Sequence, residues 1–213
     1  MTDTLITIAP ELWRALGETL LMLGIGLSAA VLIGGPLGII LFLDAGRTGR
    51  VLGWLVNTIR SFPFIILMVA LVPFTRTIAG TSIGPLAAAV PLSFAAIPYF
   101  ARLVEQQLRD VPRGVIEAAE AMGATRLQIV TRVLLVEARS GLVLALTVLA
   151  ISFLSYSAVA GVVGGGGIGD LAIRYGYYRF ETDVMVITVA ILIAIVQLIQ
   201  FGGGRIARRL DKR

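Results

Sequence analysis

The polar and apolar positions of this chain are segregated along its length. Apolar residues collect in runs of roughly 20, the length needed to cross a ~30 Å hydrocarbon core. Lipid offers the backbone no hydrogen-bond partner, so such runs must be helices. Five spanning helices are predicted, near residues 19–43, 55–79, 84–104, 141–163 and 184–201. The second is interrupted by Pro63 and Pro73, and the third holds Pro85, Pro91 and Pro98. Proline frees backbone carbonyls and kinks a helix, which membranes tolerate where helices pack or line a cavity.

The long connection, residues 105–140, reads as two short helices. Asp110-Val111-Pro112 opens the first, with Asp near the N-cap and Pro in the first turn. Gly123 suits the left-handed position that closes it. Thr125-Arg126-Leu127-Gln128 has the spacing of a capping box and opens the second.

Charge then sets an orientation. Of the 18 Lys and Arg residues, 14 fall on the side of the long connection and the C-terminus. The other side has only Arg14, Arg76, Arg174 and Arg179. Lys and Arg accumulate in cytoplasmic loops, so the N-terminus is expected outside and the C-terminus inside. An odd number of spans agrees. Arg60, inside an apolar run, is expected near the cytoplasmic end, where it can snorkel. The opening residues carry Asp3, Glu11 and Glu18 against Arg14, so no cleavable signal peptide is expected.

Composition supports the membrane reading: 57% of the 213 residues are hydrophobic and 15% charged, with a mean hydropathy of +0.93. Net charge is +5, but the basic residues flank apolar runs and form no stripe interleaved with aromatics. Anionic lipid and membrane orientation therefore explain the charge better than nucleic acid does. Cys and His are absent, which removes thiol chemistry and the commonest general base and metal ligand.

Three groups of residues are candidates for function. Glu117-Ala118-Ala119-Glu120-Ala121-Met122-Gly123 offers a small-residue helix surface that another protein can approach, with Glu117 as a charge for a basic partner. The alternative is an ordinary surface helix with an Arg113–Glu117 pair. The glycines at 161, 164–167 and 169 are not followed by the Lys and Ser/Thr of a P-loop. They form either a flexible outer linker or a hinge or close-packing element. Ser152, Ser155, Tyr156 and Ser157 in the fourth run either bond back to backbone carbonyls or face a pathway. Val159 is a candidate apolar constriction, with core packing as the alternative. Glu137 and Arg139 read as interfacial anchors, and the C-terminal basic cluster as an orientation signal that binds anionic lipid.

Glu117-Ala118-Ala119, Gly123, Val133 and Leu135 resemble the EAA loop of ABC importer permeases, with Val136 in place of the final Pro. Further blocks are similar to the permeases of methionine importers: residues 60–67, 72–76, 80–84, 121–125, 156–161 and 164–177. The resemblance covers most of the chain, in order. It implies an all-α integral membrane protein of one domain, residues 1–213, with five spans, a cytoplasmic coupling helix and type I importer permease architecture. It also implies a second copy of the chain, two cytoplasmic ABC ATPase subunits and an external substrate-binding protein as partners. ATP and Mg would be used by the ATPase, with no cofactor or metal on this chain. Coupling would fall to Glu117, Ala118, Ala119, Met122 and Gly123, and the pathway to Ser155, Tyr156, Ser157 and Val159. The expected cargo is methionine, in its L- and also its D-form, crossing the bacterial inner membrane.

Two rival classes fare worse. An intramembrane enzyme lacks its groups: the only Lys is Lys212, and every Asp lies outside the apolar runs. A secondary transporter commonly carries internal repeats and intramembrane ionisable residues, and neither is evident. A permease for another amino acid remains an open alternative.

Overall fold

The computed structural model describes residues 2–44 and 46–211, and among these there are helices and turns but no strand. Lys212 and Arg213 of the expected basic tail lie outside the described residues, as does the side chain of Asp3.

Helix α1 (Thr2–Ala29) passes through a wide turn, Ala30–Gly34, into α2 (Gly35–Leu43). Pro36 explains the widening: it has no N–H for the carbonyl of Leu32, so the hydrogen-bond ladder shifts by one residue. The apolar stretch Ile8–Leu43 has 36 residues, so the first span starts earlier than the expected residue 19. Glycine lets this helix approach its neighbour. A Cβ on Gly34 would fall 2.5 Å from the Ile97 carbonyl oxygen, and one on Gly38 would fall 2.5 Å from that of Ala101.

The expected second span, 55–79, is not one rod. It is divided among α3 (Arg47–Arg60), α4 (Phe64–Ala70) and α5 (Val72–Ala79), and α3 and α4 meet at 99°. The Ser61 hydroxyl donates to the Asn57 carbonyl at 2.8 Å, closing α3, and Pro63 at ψ 131° starts α4 afresh. The second break, at Leu71, precedes Pro73 in the first turn of α5.

The central element is α6 (Pro85–Arg109), which packs on α1, α2, α3, α5 and the later helix α10 (Arg139–Ala160). Pro91 and Pro98 lie inside it without ending it, and it runs five residues beyond the expected 104. Between them lie α7 (Arg113–Ala121), then α8 (Arg126–Gln128), a wide turn Ile129–Leu134, and α9 (Leu135–Glu137). After α10 the chain makes a turn at Gly161–Gly165. It continues through α11 (Gly167–Leu171) and Ala172–Tyr177 to α12 (Thr182–Leu210). Gly203 allows α12 to lie against α10, since a Cβ there would meet the Thr147 hydroxyl at 2.0 Å. Among the described residues four helical stretches are long and apolar enough to cross a membrane: Ile8–Leu43, Pro85–Arg109, Arg139–Gly165 and Thr182–Leu210. The bent pair α3–α4 makes a fifth if counted as one span.

Candidate functional site

At one end of the bundle α7–α9 project as a helix–turn–helix. Asp110 does not cap α7. It ends α6, and Pro112, at ψ 130°, takes the N-cap position. Gly123 closes α7 at φ +80°, and the Thr125–Gln128 capping box forms in both directions, at 2.8 and 3.4 Å. Ala119 is buried against this motif's inner side, in one cluster with Val111, Ile129, Val130 and Leu134. Glu117, Ala118 and Gly123 are exposed. Met122 is 82% and Leu127 73% exposed, which leaves an apolar pair at the turn with no cover from this chain. Arg113 and Glu117 do not pair, so the outer face of α7 keeps an unspent carboxylate. With Val136 where the resembled family has Pro, the helix still breaks, at Ala138 (φ −79°, ψ −6°). There Arg139 Nε donates to the Leu210 carbonyl at 2.9 Å and Ser140 Oγ to that of Ala207 at 3.0 Å, tying the start of α10 to the end of α12. Glu137 is exposed.

A charged cluster that sequence reading missed sits behind this loop. Glu105 is buried in α6 and pairs with Arg102 and with Arg109, the latter at 2.8 Å. Arg102 also donates to Asn57 Oδ1 at 3.1 Å and to the Gly53 carbonyl at 3.0 Å, so one guanidinium ties α3 to α6. The signal was available: Arg102, Glu105 and Arg109 are spaced i, i+3 and i, i+7, on one helix face.

At mid-bundle, the elbow between α3 and α4 meets an aromatic chain. The Arg60 guanidinium lies 5.2 Å over the Tyr99 ring. Tyr99 meets Phe153 edge-on at 6.2 Å, Phe153 meets Tyr156 at 5.0 Å, and Tyr156 stacks on Phe64 at 4.8 Å. The four proposed pathway residues divide here. Ser155 is exposed, and Tyr156 and Val159 are half-buried. Ser157 is turned into the bundle, its hydroxyl donating to the Leu154 carbonyl at 2.7 Å. That is the back-bonding alternative, and it removes Ser157 from the candidate pathway face. Leu144, Val148, Ser155 and Val162 leave an open stripe along α10 and its continuation.

At the opposite end the glycine run is a packed turn and not a loose linker. Glu18 accepts from Gly167 N–H at 2.8 Å, and Thr19 accepts from Ile168 N–H at 3.0 Å. A Cβ on Gly169 would fall 2.4 Å from Ala158 Cα, and one on Gly161 would fall 2.4 Å from Asp170 N. The turn borders a basin of about 470 Å³ lined by Glu11, Arg14, Glu18, Asp170 and Arg174 among others. Its charges are internally matched: Arg14 pairs with Glu18 at 3.0 Å and Arg174 with Asp170 at 2.7 Å. The bond to Asp170 raises the Arg174 pKa. Tyr175 donates to Glu11 at 2.7 Å, which raises the phenol's pKa. Among the described residues no group of carboxylates is placed to hold a metal ion.

A multispanning helical bundle, with a packed turn and a charged basin at one end and a helix–turn–helix at the other, has the architecture of an integral membrane protein. The chain belongs to the family of binding-protein-dependent transport system inner membrane components, whose model matches residues 19–213. It is therefore a multi-pass inner-membrane protein. It is 47% identical to the probable D-methionine transport system permease protein MetI of Vibrio cholerae, over 95% of this chain and 93% of that one. It is 41% identical to the methionine import system permease protein MetP of Bacillus subtilis, over 95% of each. Among solved structures it resembles a chain of the inward-facing MetNI methionine ABC transporter, with a TM-score of 0.93 and 44% identity over 97% of this chain and 99% of that one. It shares a fold with a chain of an amino acid ABC transporter crystallised with histidines, at a TM-score of 0.82 and 20% identity over 97% of each.

Proposed function

We propose that this chain is the membrane-spanning permease subunit of an ATP-driven methionine importer. One observation carries the reading: its fold and sequence follow a chain of the MetNI methionine transporter from end to end. Two copies form the pathway, packed through the open stripe of α10, with Ser155, Tyr156 and Val159 near it. The bent pair α3–α4, continued by α5, is the second of five spans. The end with most of the basic residues faces the cytoplasm, as their accumulation there requires. The N-terminus is then outside and the C-terminus inside.

On this reading α7 is the coupling helix. Glu117 and Met122 meet the ATPase, one by charge and one by an apolar contact, while Ala118 allows close approach. Ala119 holds the motif's shape from within, and Gly123 holds it by its left-handed turn. Two ATPase subunits hydrolyse ATP with Mg, and this chain contributes no catalytic group, cofactor site or metal site. The basin at the glycine turn faces outward, where a substrate-binding protein delivers cargo. Methionine, in its L- and also its D-form, is the expected cargo; α10 and α12 place no charged side chain mid-span, which suits a zwitterion with an apolar side chain better than a charged substrate.

The test is reconstitution of the permease with its ATPase and binding protein in liposomes, followed by labelled uptake. ATP-dependent entry of methionine, with poor competition by excess arginine or glutamate, supports the assignment. Entry of another amino acid without methionine keeps the importer and overturns the cargo. Uptake driven by an ion gradient without ATP points instead to a secondary transporter.

A further inference from the structure

Helix α3 turns one face to the bundle and leaves the other uncovered by the rest of this chain. Gly49, Gly53 and Val56 are the buried positions. On the far side, Arg47, Val51 and Trp54 follow one another at helical spacing, with Arg50 beside them, and the four line an open concavity of about 330 Å³. Trp54 is 65% exposed. Among the described residues neither arginine has an acidic partner. The closest carboxylate in sequence, Asp44, instead accepts from Gly46 N–H at 2.7 Å.

The setting says what complements such a face. α3 is held to α6 where Arg102 meets Gly53 and Asn57, toward the loop end of α6, so its first turns, with Arg47, Arg50 and Trp54, lie at that end of the bundle, where an amphipathic face meets headgroups. Indole is enriched at the boundary between headgroups and acyl chains, where its apolar body and polar N–H are both accommodated. Guanidinium forks match phosphate oxygens two at a time, and the cytoplasmic leaflet supplies anionic phosphates. We infer that Arg47, Arg50 and Trp54 form a binding site for the headgroup of an anionic phospholipid. The site rests on the proposal that this end of the bundle is cytoplasmic. Its test reads lipid binding and not transport, so the two can fail separately.

The chain has two tryptophans, which makes the site directly readable. In the intact transporter carrying Trp13→Phe, the fluorescence lost on a further Trp54→Phe change is the Trp54 signal. That signal is followed in vesicles containing brominated phosphatidylglycerol or brominated phosphatidylcholine at equal mole fraction. An arginine near the surface contributes roughly a fivefold preference for anionic lipid, so phosphatidylglycerol should quench Trp54 at several-fold lower mole fraction. Arg47→Gln combined with Arg50→Gln should make the two lipids equivalent, while Arg208→Gln combined with Arg209→Gln should leave the preference in place. Equal quenching in the parent protein overturns the site, as does a preference that survives Arg47→Gln/Arg50→Gln. Abolition of the preference by inorganic phosphate at low millimolar concentration would assign the face to a soluble anion and overturn it as well.

Discussion

Glu18 and Gly167 lie 149 residues apart in sequence, and the Glu18 carboxylate accepts the Gly167 N–H at 2.8 Å. This contact fixes the first amide of α11, which has no partner within its own helix. It also accounts for the glycines around it, because Gly166 and Gly167 have φ of +76° and +84° against the side of α1. A Cβ on Gly167 would fall 2.7 Å from the Thr19 hydroxyl and 2.9 Å from Met22 Cε.

Gly167→Ala is therefore expected to be among the costlier single-carbon additions in the chain. It adds left-handed strain of about 1–2 kcal/mol to an overpacking cost of about 1–3 kcal/mol. Gly80→Ala, at φ +71° with open space around the new carbon, should cost only the strain. Glu18→Ala should cost about 1–3 kcal/mol through the unpaired Gly167 amide, and Glu18→Gln much less because it keeps an acceptor. Thermal unfolding of the purified protein in detergent ranks the four variants. Equal stability of Gly167→Ala and Gly80→Ala would mean the turn is not packed as described.

The buried Glu105 should dominate its cluster. Removing one partner of a buried pair leaves an uncompensated charge and costs about 3–5 kcal/mol, whereas an exposed ion pair contributes about 0–1 kcal/mol. Glu105→Ala strands Arg102 between α3 and α6. Arg109→Ala removes a partner whose side chain is mostly in solvent. The same unfolding measurement should show a large loss for the first and little for the second, and the reverse order would contradict the burial of Glu105.

The coupling proposal predicts a specific separation of phenotypes. Glu117→Lys reverses an unpaired charge without touching the core, so the permease should insert normally and the ATPase should be retained poorly. An interfacial hot spot lost there is worth about 2 kcal/mol or more, roughly a thirtyfold change in affinity. Gly123→Val acts differently: its Cβ meets nothing within 4 Å, so the whole cost comes from φ +80°. Gly123→Asn should then be tolerated better, because Asn enters that region more easily. Copurification of the ATPase, with uptake measured in parallel, checks both. Normal uptake by Glu117→Lys and Gly123→Val would sink the assignment.

The absence of Cys makes topology readable from single introduced cysteines. Phe180 is 85% exposed at the glycine end and Met122 82% exposed at the other. Phe180→Cys should react with an impermeant thiol reagent from outside, and Met122→Cys only after lysis or after removal of the ATPase. Gly167, the more obvious target in the glycine run, is a poor choice because it is buried. Labelling of Met122→Cys from outside would invert the proposed orientation.

What could be read from sequence was local. The capping box needs only Thr125 and Gln128, and the left-handed turn only Gly123, so both were recoverable from spacing. The nearby Asp110 was misplaced because two stop signals overlap there: α6 runs on to Arg109, and Pro112 rather than Asp110 takes the N-cap of α7. The bend at Pro63 was hidden because apolar residues continue on both sides of it, and hydropathy carries no angle. The close packing of the glycine run depends on Glu18, Thr19 and Ala158, whose proximity no run of neighbouring residues encodes. Ser157 and Ser155 are alike in sequence, and only the rotation of α10 against α6 separates a back-bonded hydroxyl from an exposed one.

Tyr156 gives the sharpest test of the mid-bundle reading. Its ring touches Phe64 at the start of α4 and Phe153 on its own helix, so it joins the elbow to α10. Movement transmitted from the loop end to the pathway has to cross this contact if α4 and α10 shift together. Tyr156→Phe keeps the ring and both aromatic contacts, and uptake should stay close to that of the parent. Tyr156→Ala removes both pairs, each worth about 0.5–1.5 kcal/mol beyond buried area, and leaves a gap beside Phe64. Uptake should then fall severalfold while the ATPase still copurifies, because α7 is untouched. Trp at the same position would crowd the stack and is expected to fall between the two. If Tyr156→Ala transports as well as Tyr156→Phe, the aromatic chain is packing alone, and the pathway has to be sought on the face of α10 that carries Ser155.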